Sequence, residues 1–461
     1  MSVIRHPSTG TAVTVKQWRY TATGGETTLS GTDGFGLSLS YTVGAEEVYI
    51  NGVLLVRGTD YTASTGTSIT GLTALVAGDV ATVMSANSFN VANAIAASTV
   101  TAKGDLIVAN GASSVSNLAV GADGTTLVAN SSASTGVSWS AGNPIANPII
   151  NSCFDIWQRG TSFTVGTTTS LYTADGWQSS RAGTAGLTVA RQATGDTTNL
   201  PNIQYAMRLQ RDSGNTSTAA ITNWTNLETS NSIPFSGKTV TFSFYARAGA
   251  NYSATSNILN AELYSGTGTD QNVNVSGFTG ANQVINQNFT LTTTWQRFTY
   301  SATIPATATQ LAALFISNPI GTAGANDYYD ITGVQVDLGS VALPVRRNAS
   351  TLQGELAACR RYLPAFAGNG ADPYMGYAYG TNTTIYGFQF DVPARVAPTG
   401  ITTSGTIQGY SLNTATTITP TFNAANVNGA SILGSLTITA GQGSRLLIAS
   451  SGLILFTGCE L

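Results

Sequence analysis

The chain has 461 residues, of which 9% are charged, with 50 glycines and a formal net charge of −3. That length exceeds what one core serves, so two to four domains in series are expected. Charge this sparse excludes the clustered Lys and Arg that bind nucleic acid or an anionic membrane. Gly, Ser, Thr, Asn and Ala fill the polar positions instead; Thr suits a pleated surface and Gly supplies positive φ, so an all-β chain of short strands and tight turns is expected, with little helix. Met1 to Pro7 has no apolar signal-peptide core, and nowhere do 18 apolar residues run together, so neither an export signal nor membrane insertion is expected. Cys153, Cys359 and Cys459 lie far apart without a C-x-x-C pair, which points to reduced core thiols rather than a disulfide framework or zinc site.

In chain order, residues 17–86 read as strand after strand. Val48-Tyr49-Ile50 and Val53-Leu54-Leu55 flank Asn51-Gly52, the pair that best tolerates the two positive φ values of a type I′ hairpin turn. Strands near Tyr61-Thr62 and over Asp79 to Val83 should close a small β-sandwich within a domain over 1–88. The run Glu47 to Leu55, followed by Gly58-Thr59-Asp60-Tyr61-Thr62 and Gly78-Asp79-Val80, resembles a module at the N-termini of phage tail and virion structural proteins. That resemblance implies an anchor to other virion proteins.

Residues 89–145 are dominated by small side chains. Leu106-Ile107-Val108-Ala109-Asn110 is echoed by Leu127-Val128-Ala129-Asn130, and a segment so poor in bulky groups cannot offset its ordering entropy alone. Partner chains should complete it; a flexible Ala/Ser linker is the alternative. Lys103-Gly104-Asp105-Leu106, Gly121-Ala122-Asp123-Gly124 and Gly136-Val137-Ser138-Trp139 resemble the neck of cyanophage-type fibre proteins, which implies a homotrimer.

Over 146–346, Lys238 to Arg247 alternates cleanly and places Val240, Phe242 and Phe244 on a core face. Trp295 to Tyr300 and Tyr328 to Val336 read as later strands, and Trp157, Trp177 and Trp295 as core. The order resembles jelly-roll carbohydrate-binding modules. Asn151 to Gly160, with Asp175-Gly176-Trp177 and Leu338-Gly339-Ser340, is closer still to the jelly roll inside phage tail proteins. The carbohydrate-binding resemblance implies a structural calcium, with Asp330 in the final strand and Asp155 near the start at the matching places. The alternative is that both are turn or solvent-facing acids, since calcium takes six or more oxygens.

One short helix is expected near 351–363, with Leu352, Leu356, Cys359 and Leu363 on one face, Ser350 and Gln353 as a capping box, and Pro364 as the stop. Strands should follow to the end of a C-terminal head over 347–461, closing with a hairpin of Leu446 to Ala449 and Leu453 to Phe456 across Ser450-Ser451-Gly452. Glu355 to Tyr362 and Phe390 to Thr399 resemble the head that follows the jelly roll in phage tail proteins.

For catalysis, the single histidine, His6, sits near the first residue, and Asp155, Asp175, Glu228, Glu262, Asp327, Asp330 and Asp337 show no spacing that singles out an acid pair. No catalytic residue and no required cofactor is therefore expected. The long β-helix repeat of phage depolymerases is absent from the pattern. Sugar recognition instead needs flat aromatic faces beside amides and hydroxyls, and Tyr374, Tyr377, Tyr379 and Asn382 concentrate these in a predicted hairpin. Edge packing or trimer contact is the alternative for the tyrosines, whereas Tyr386, Phe388 and Phe390, spaced by two, should face inward. The expectation is an elongated multidomain fibre of β-sandwich and jelly-roll modules: a phage tail fibre or virion appendage subunit, assembled in the host cytoplasm, that binds a host cell-surface polysaccharide through its distal domains. A tailspike-type depolymerase and a purely structural decoration protein are the alternatives.

Overall fold

The computed structural model describes residues 13–88, 95–122, 125–141, 147–166, 170–182, 186–368, 370, 373–412 and 414–461; His6 lies outside them. The architecture is all-β, with 46% strand against 5% helix. Two compact units divide the chain, Met1–Ile107 and Val108–Leu461.

In the first unit, β1 (Val13–Thr21), β2 (Leu29–Ser30), β3 (Glu46–Ile50), β4 (Val53–Leu54), β5 (Ser68–Ile69) and β6 (Val80–Ser88) form an antiparallel sheet of order β1-β6-β3-β4 and a β2-β5 pair. Trp18 and Val48 lie opposite Val83 from either side. With Leu29, Tyr41, Tyr61 and Ile69 they make the buried core. The β3–β4 turn holds Asn51 at φ 50° and Gly52 at φ 84°, as the hairpin reading requires.

The repeat folds as two successive two-stranded sheets, β7 (Leu106–Gly111) with β8 (Ser114–Leu118) and β9 (Thr125–Ala129) with β10 (Val137–Ala141). Ile107, Val115, Val120 and Leu127 are exposed. Among the described residues none between 95 and 141 joins a buried apolar cluster. Trp139 ties one hairpin to the other through Nε1 to the Ala119 carbonyl (2.7 Å). Isolated two-stranded ribbons are marginal in water.

A sandwich of two six-stranded sheets follows. Its strands are β11 (Ser162–Val165), β12 (Leu171–Tyr172), β13 (Gln178–Arg181), β14 (Leu187–Ala193), β15 (Tyr205–Arg211), β16 (Ile221–Asn226), β17 (Thr239–Ala248), β18 (Ile258–Gly266), β19 (Asn282–Thr290), β20 (Gln296–Thr303), β21 (Gln310–Ser317) and β22 (Tyr328–Leu338), with a single turn α1 (Thr229–Ser232). The sheet orders are β11-β14-β15-β22-β17-β20 and β12-β13-β16-β21-β18-β19. Val240, Phe242 and Phe244 point between them, and Phe244 meets Phe315 of the opposite sheet edge-on at 4.8 Å. Trp157, Trp177 and Trp295 are buried.

Next, α2 (Leu352–Arg360) leads into β23 (Ala365–Ala367), β24 (Pro373–Gly380), β25 (Thr383–Gln389), β26 (Gly400–Ser404), β27 (Ile407–Ser411), β28 (Thr414–Thr417), β29 (Thr421–Asn426), β30 (Gly429–Ser435), β31 (Gly443–Ile448) and β32 (Leu453–Thr457). A seven-stranded sheet of order β28-β27-β31-β24-β25-β30-β29 faces the three-stranded β23-β32-β26. Tyr386, Phe388, Phe390, Ile432, Leu446, Ile448, Ile454 and Phe456 form the core between them.

Two features differ from expectation. The helix buries Glu355 and Cys359 while Leu352 is exposed, because the Glu355 carboxylate is drawn inward to accept from the backbone N–H groups of Asn151 and Ala349. Its cap is Thr351, whose Oγ1 accepts from Gly354 N at 3.1 Å, not Ser350. The closing hairpin does not form either. β31 and β32 belong to different sheets, since Leu446 and Ile448 must face Ile454 and Phe456 across the core, so Ser450 to Gly452 carries the chain from one layer to the other.

The twelve-stranded sandwich and this final sandwich lie in one unit and are pinned together. Arg361 makes a two-pronged contact with Glu228 (3.1 Å each), Arg395 Nη1 reaches Asp270 (3.3 Å), and Arg159 pairs with Glu460.

Candidate functional site

β24 runs through the middle of the seven-stranded sheet, between β31 and β25. Successive side chains on a strand point to opposite faces, and this pleat sorts the predicted residues. Tyr374 turns inward, its ring 4.6 Å from Phe388 and 5.9 Å from Phe366. It is therefore part of the core packing, which corrects its assignment as a sugar contact. Tyr377 and Tyr379 turn outward together with Met375, at 52%, 71% and 72% exposure. Asn382, exposed and at φ 63°, closes the hairpin, and its backbone is tied to Leu436 and Ile438.

The outer face continues across the sheet. Met375 lies opposite Arg445, which lies opposite Tyr410 on β27, and the Arg445 guanidinium sits 4.2 Å over the Tyr410 ring. On the other side Tyr377 is opposite Ile385, and Ile385 opposite Leu433. Beside them is a shallow trough of ≈ 520 Å³ lined by Gly387, Gln389, Ala424, Asn426, Gly429 and Ser431. A Cβ at Gly387 would meet nothing within 4 Å, so the glycine leaves the floor open. Gly376 is instead required by close packing, because a Cβ there would come within 2.3 Å of the Ile385 carbonyl oxygen and 2.5 Å of the Tyr386 ring. Asn423 Nδ2 donates to Ser431 Oγ (2.9 Å), and Asn426 Oδ1 accepts from Asn428 N (2.8 Å).

The face thus offers flat phenol rings, a thioether, amides, hydroxyls and one stacked cation. Aromatic π-surfaces accept the C–H faces of pyranose rings, and amides and hydroxyls serve as partners for sugar hydroxyls. The sequence reading named Tyr377, Tyr379 and Asn382, which the fold places on this outer face, and did not name Met375, Gln389, Tyr410, Asn426, Ser431 and Arg445, which lie on it too. The phase set by inward Tyr386 and Phe388 could have flagged Met375 and Gln389. The rest come from strands whose pairing the sequence does not announce.

Asp155 and Asp330 are not brought into one oxygen cluster. Asp330 is fully buried between Arg208 and Arg247, and Asp155 is taken up by Arg347 Nε at 2.7 Å. Each carboxylate side chain is paired with guanidinium and buried, so neither is a solvent-facing turn acid. Among the described residues no group of three His, Cys, Asp or Glu side chains converges on a common point that could hold a metal. No helix in the described residues is long and apolar enough to cross a membrane.

The sequence matches no protein-family model and no curated protein. Among solved structures it is similar to the enzymatically active domain of tailspike protein 4 of bacteriophage CBA120, with 17% identity over 36% of this chain and a TM-score of 0.26. The chain spans about a fifth (19%) of that protein's length. It is also similar to a CBM4 carbohydrate-binding module (19% identity, 41% of this chain, 98% of that one, TM-score 0.24). A third is the module TmCBM61 in complex with β-1,4-galactotriose (14% identity, 42% and 99%, TM-score 0.25).

Proposed function

We propose that the chain is a subunit of a phage tail fibre or virion appendage, a homotrimer located in the virion, that attaches to other virion proteins through residues 1–88 and binds host cell-surface polysaccharide. The observation that carries the binding part is the outward row of Met375, Tyr377 and Tyr379 beside the open trough at Gly387. Large rings with two side-chain torsions lose little entropy when a ligand covers them, and half or more of the surface of each of these side chains is open to solvent. The trimer is supported by the two hairpins of 106–141, whose exposed Ile107, Val115, Val120 and Leu127 need cover. Three weak sites on one particle gain avidity because the second and third contacts are intramolecular. Adhesion of this kind uses no catalytic step.

A glycan array probed with the purified chain tests the reading. The wild type should retain a defined set of saccharides and the Tyr377→Ala/Tyr379→Ala variant should lose them. Undiminished retention by the variant would refute the face, and a wild type that binds nothing would leave a decoration protein. Light scattering should give a trimer; a monodisperse monomer would refute the assembly.

A further inference from the structure

The outer surface of the β11-β14-β15-β22-β17-β20 sheet carries a second constellation, remote in sequence from the tyrosine-bearing face. Asp330 on β22 lies directly opposite Arg208 on β15 and Arg247 on β17. Arg208 grips it with both prongs, Nε to Oδ1 at 2.7 Å and Nη2 to Oδ2 at 2.9 Å, while Arg247 adds Nε to Oδ2 at 2.9 Å. Each guanidinium is also stacked: Arg208 lies 3.5 Å over the Tyr328 ring and Arg247 4.7 Å over Trp295. The backbone is shaped for this, since a Cβ at Gly249 would fall 2.7 Å from the Tyr328 ring and 2.2 Å from the Asn326 carbonyl oxygen.

One guanidinium already balances the single charge of a carboxylate, so Asp330 offsets only one of the two cations that it touches. Both Nη atoms of Arg247 have no hydrogen-bond partner among the described residues and are not buried, so they face solvent, with the side chain 23% exposed, while Arg208, 18% exposed, is also hydrogen-bonded to the Tyr328 side chain. Asp196, the acid that feels the charge of Arg247, has its own carboxylate engaged by Thr198 N, Asn199 N and Asn199 Nδ2. Two cations held rigid by stacking, around one anion, therefore leave the free N–H donors of Arg247 pointing outward beside Arg208. A pre-ordered guanidinium fork is the geometry that oxyanions fit, and it loses little entropy on binding.

We propose that Arg208 and Arg247 bind the acidic group of a polysaccharide, a uronic carboxylate or an ester sulfate. The site rests on the reading of the chain as a polysaccharide binder but uses a different module from the tyrosine-bearing face. It makes the jelly roll the part that selects for acidic glycans.

The test is calorimetric titration of the full chain with polygalacturonate oligosaccharides, dextran sulfate oligosaccharides and neutral dextran, at low and high salt. The wild type should bind at least one acidic probe more tightly than dextran, and lose that preference as salt rises; which acidic probe is preferred assigns the carboxylate or the sulfate. R247Q leaves Asp330 paired with Arg208 and should bind the preferred acidic probe about tenfold more weakly, the loss of one charge-assisted hydrogen bond. Saccharide retention by the tyrosine-bearing face should persist in R247Q, so failure of one site is distinguishable from failure of the other. Equal affinity of the wild type for acidic and neutral probes would overturn the site, as would R247Q binding the acidic probe as tightly as the wild type. Should R247Q not fold, the wild-type preference and its salt dependence decide alone.

Discussion

Replacing Tyr374 and Tyr377 one at a time by Ala tests whether the pleat of β24 has been assigned to the right faces. The two residues share a strand and a side chain, and differ in what they touch. Complete burial of an aromatic ring makes its truncation cost about 3–5 kcal/mol. Tyr374 is half-buried but packs on both Phe366 and Phe388, so roughly half that figure applies, with ~0.5 kcal/mol or more for the ring pairs. Tyr374→Ala should therefore cost about 2–3 kcal/mol. Tyr377, with half its surface in water, should change stability by less than ~0.5 kcal/mol. Urea unfolding of the full chain, followed by circular dichroism, measures both through the shift in midpoint at constant slope. Equal losses for the two variants, or a larger loss for Tyr377→Ala, would refute the register and with it the binding face.

Arg211 is buried with Asp327 (Nη1 to Oδ2, 2.7 Å) and also donates to the carbonyls of Asn215, Ser217 and Gly321. Arg211→Met should cost about 3–5 kcal/mol in the same urea assay by stranding a buried carboxylate, and adding Asp327→Asn should recover part of it. In the first unit, hydrogen bonds from the side chain and backbone of Thr23 hold Glu26 down to about 2, from an ordinary 4.5. A depressed carboxylate stabilises the fold above its unfolded value, so that contribution is present above pH 4.5 and is lost as pH falls towards about 2. Melting temperature should fall through that window, and Glu26→Gln should flatten the fall; an unchanged pH profile would contradict the assignment. All three cysteines are buried, and desolvation raises the Cys153 and Cys459 thiols to about 11. A thiol reagent at mildly alkaline pH should label none in the native protein and all three in urea.

The fold is legible in the sequence wherever the physics is local. Asn51-Gly52 demands its turn, and the period of two at Val240, Phe242 and Phe244, and again at Tyr386, Phe388 and Phe390, names the buried faces. The failures are tertiary. The helix face turns on Glu355 because backbone donors from Ala349 and distant Asn151 compete for its carboxylate, which no periodicity records. Leu446 to Phe456 looks like a hairpin because both runs are apolar, yet two apolar runs can equally face each other across a sandwich. Tyr374 joins its neighbours as a contact because three tyrosines stand together, although the one-residue offset from Met375 is enough to send it inward. Asp330 can be placed in the final strand but not beside Arg208 and Arg247, which pair with it across 122 and 83 residues.

On the proposed function, the protein works by displaying surfaces rather than by chemistry on its ligand. Surface plasmon resonance of the full chain on immobilised host polysaccharide, with the eluate assayed for new reducing ends, tests this most directly. Stable retention with no release of reducing ends is the predicted result. Steady release of oligosaccharides by the purified chain would contradict it.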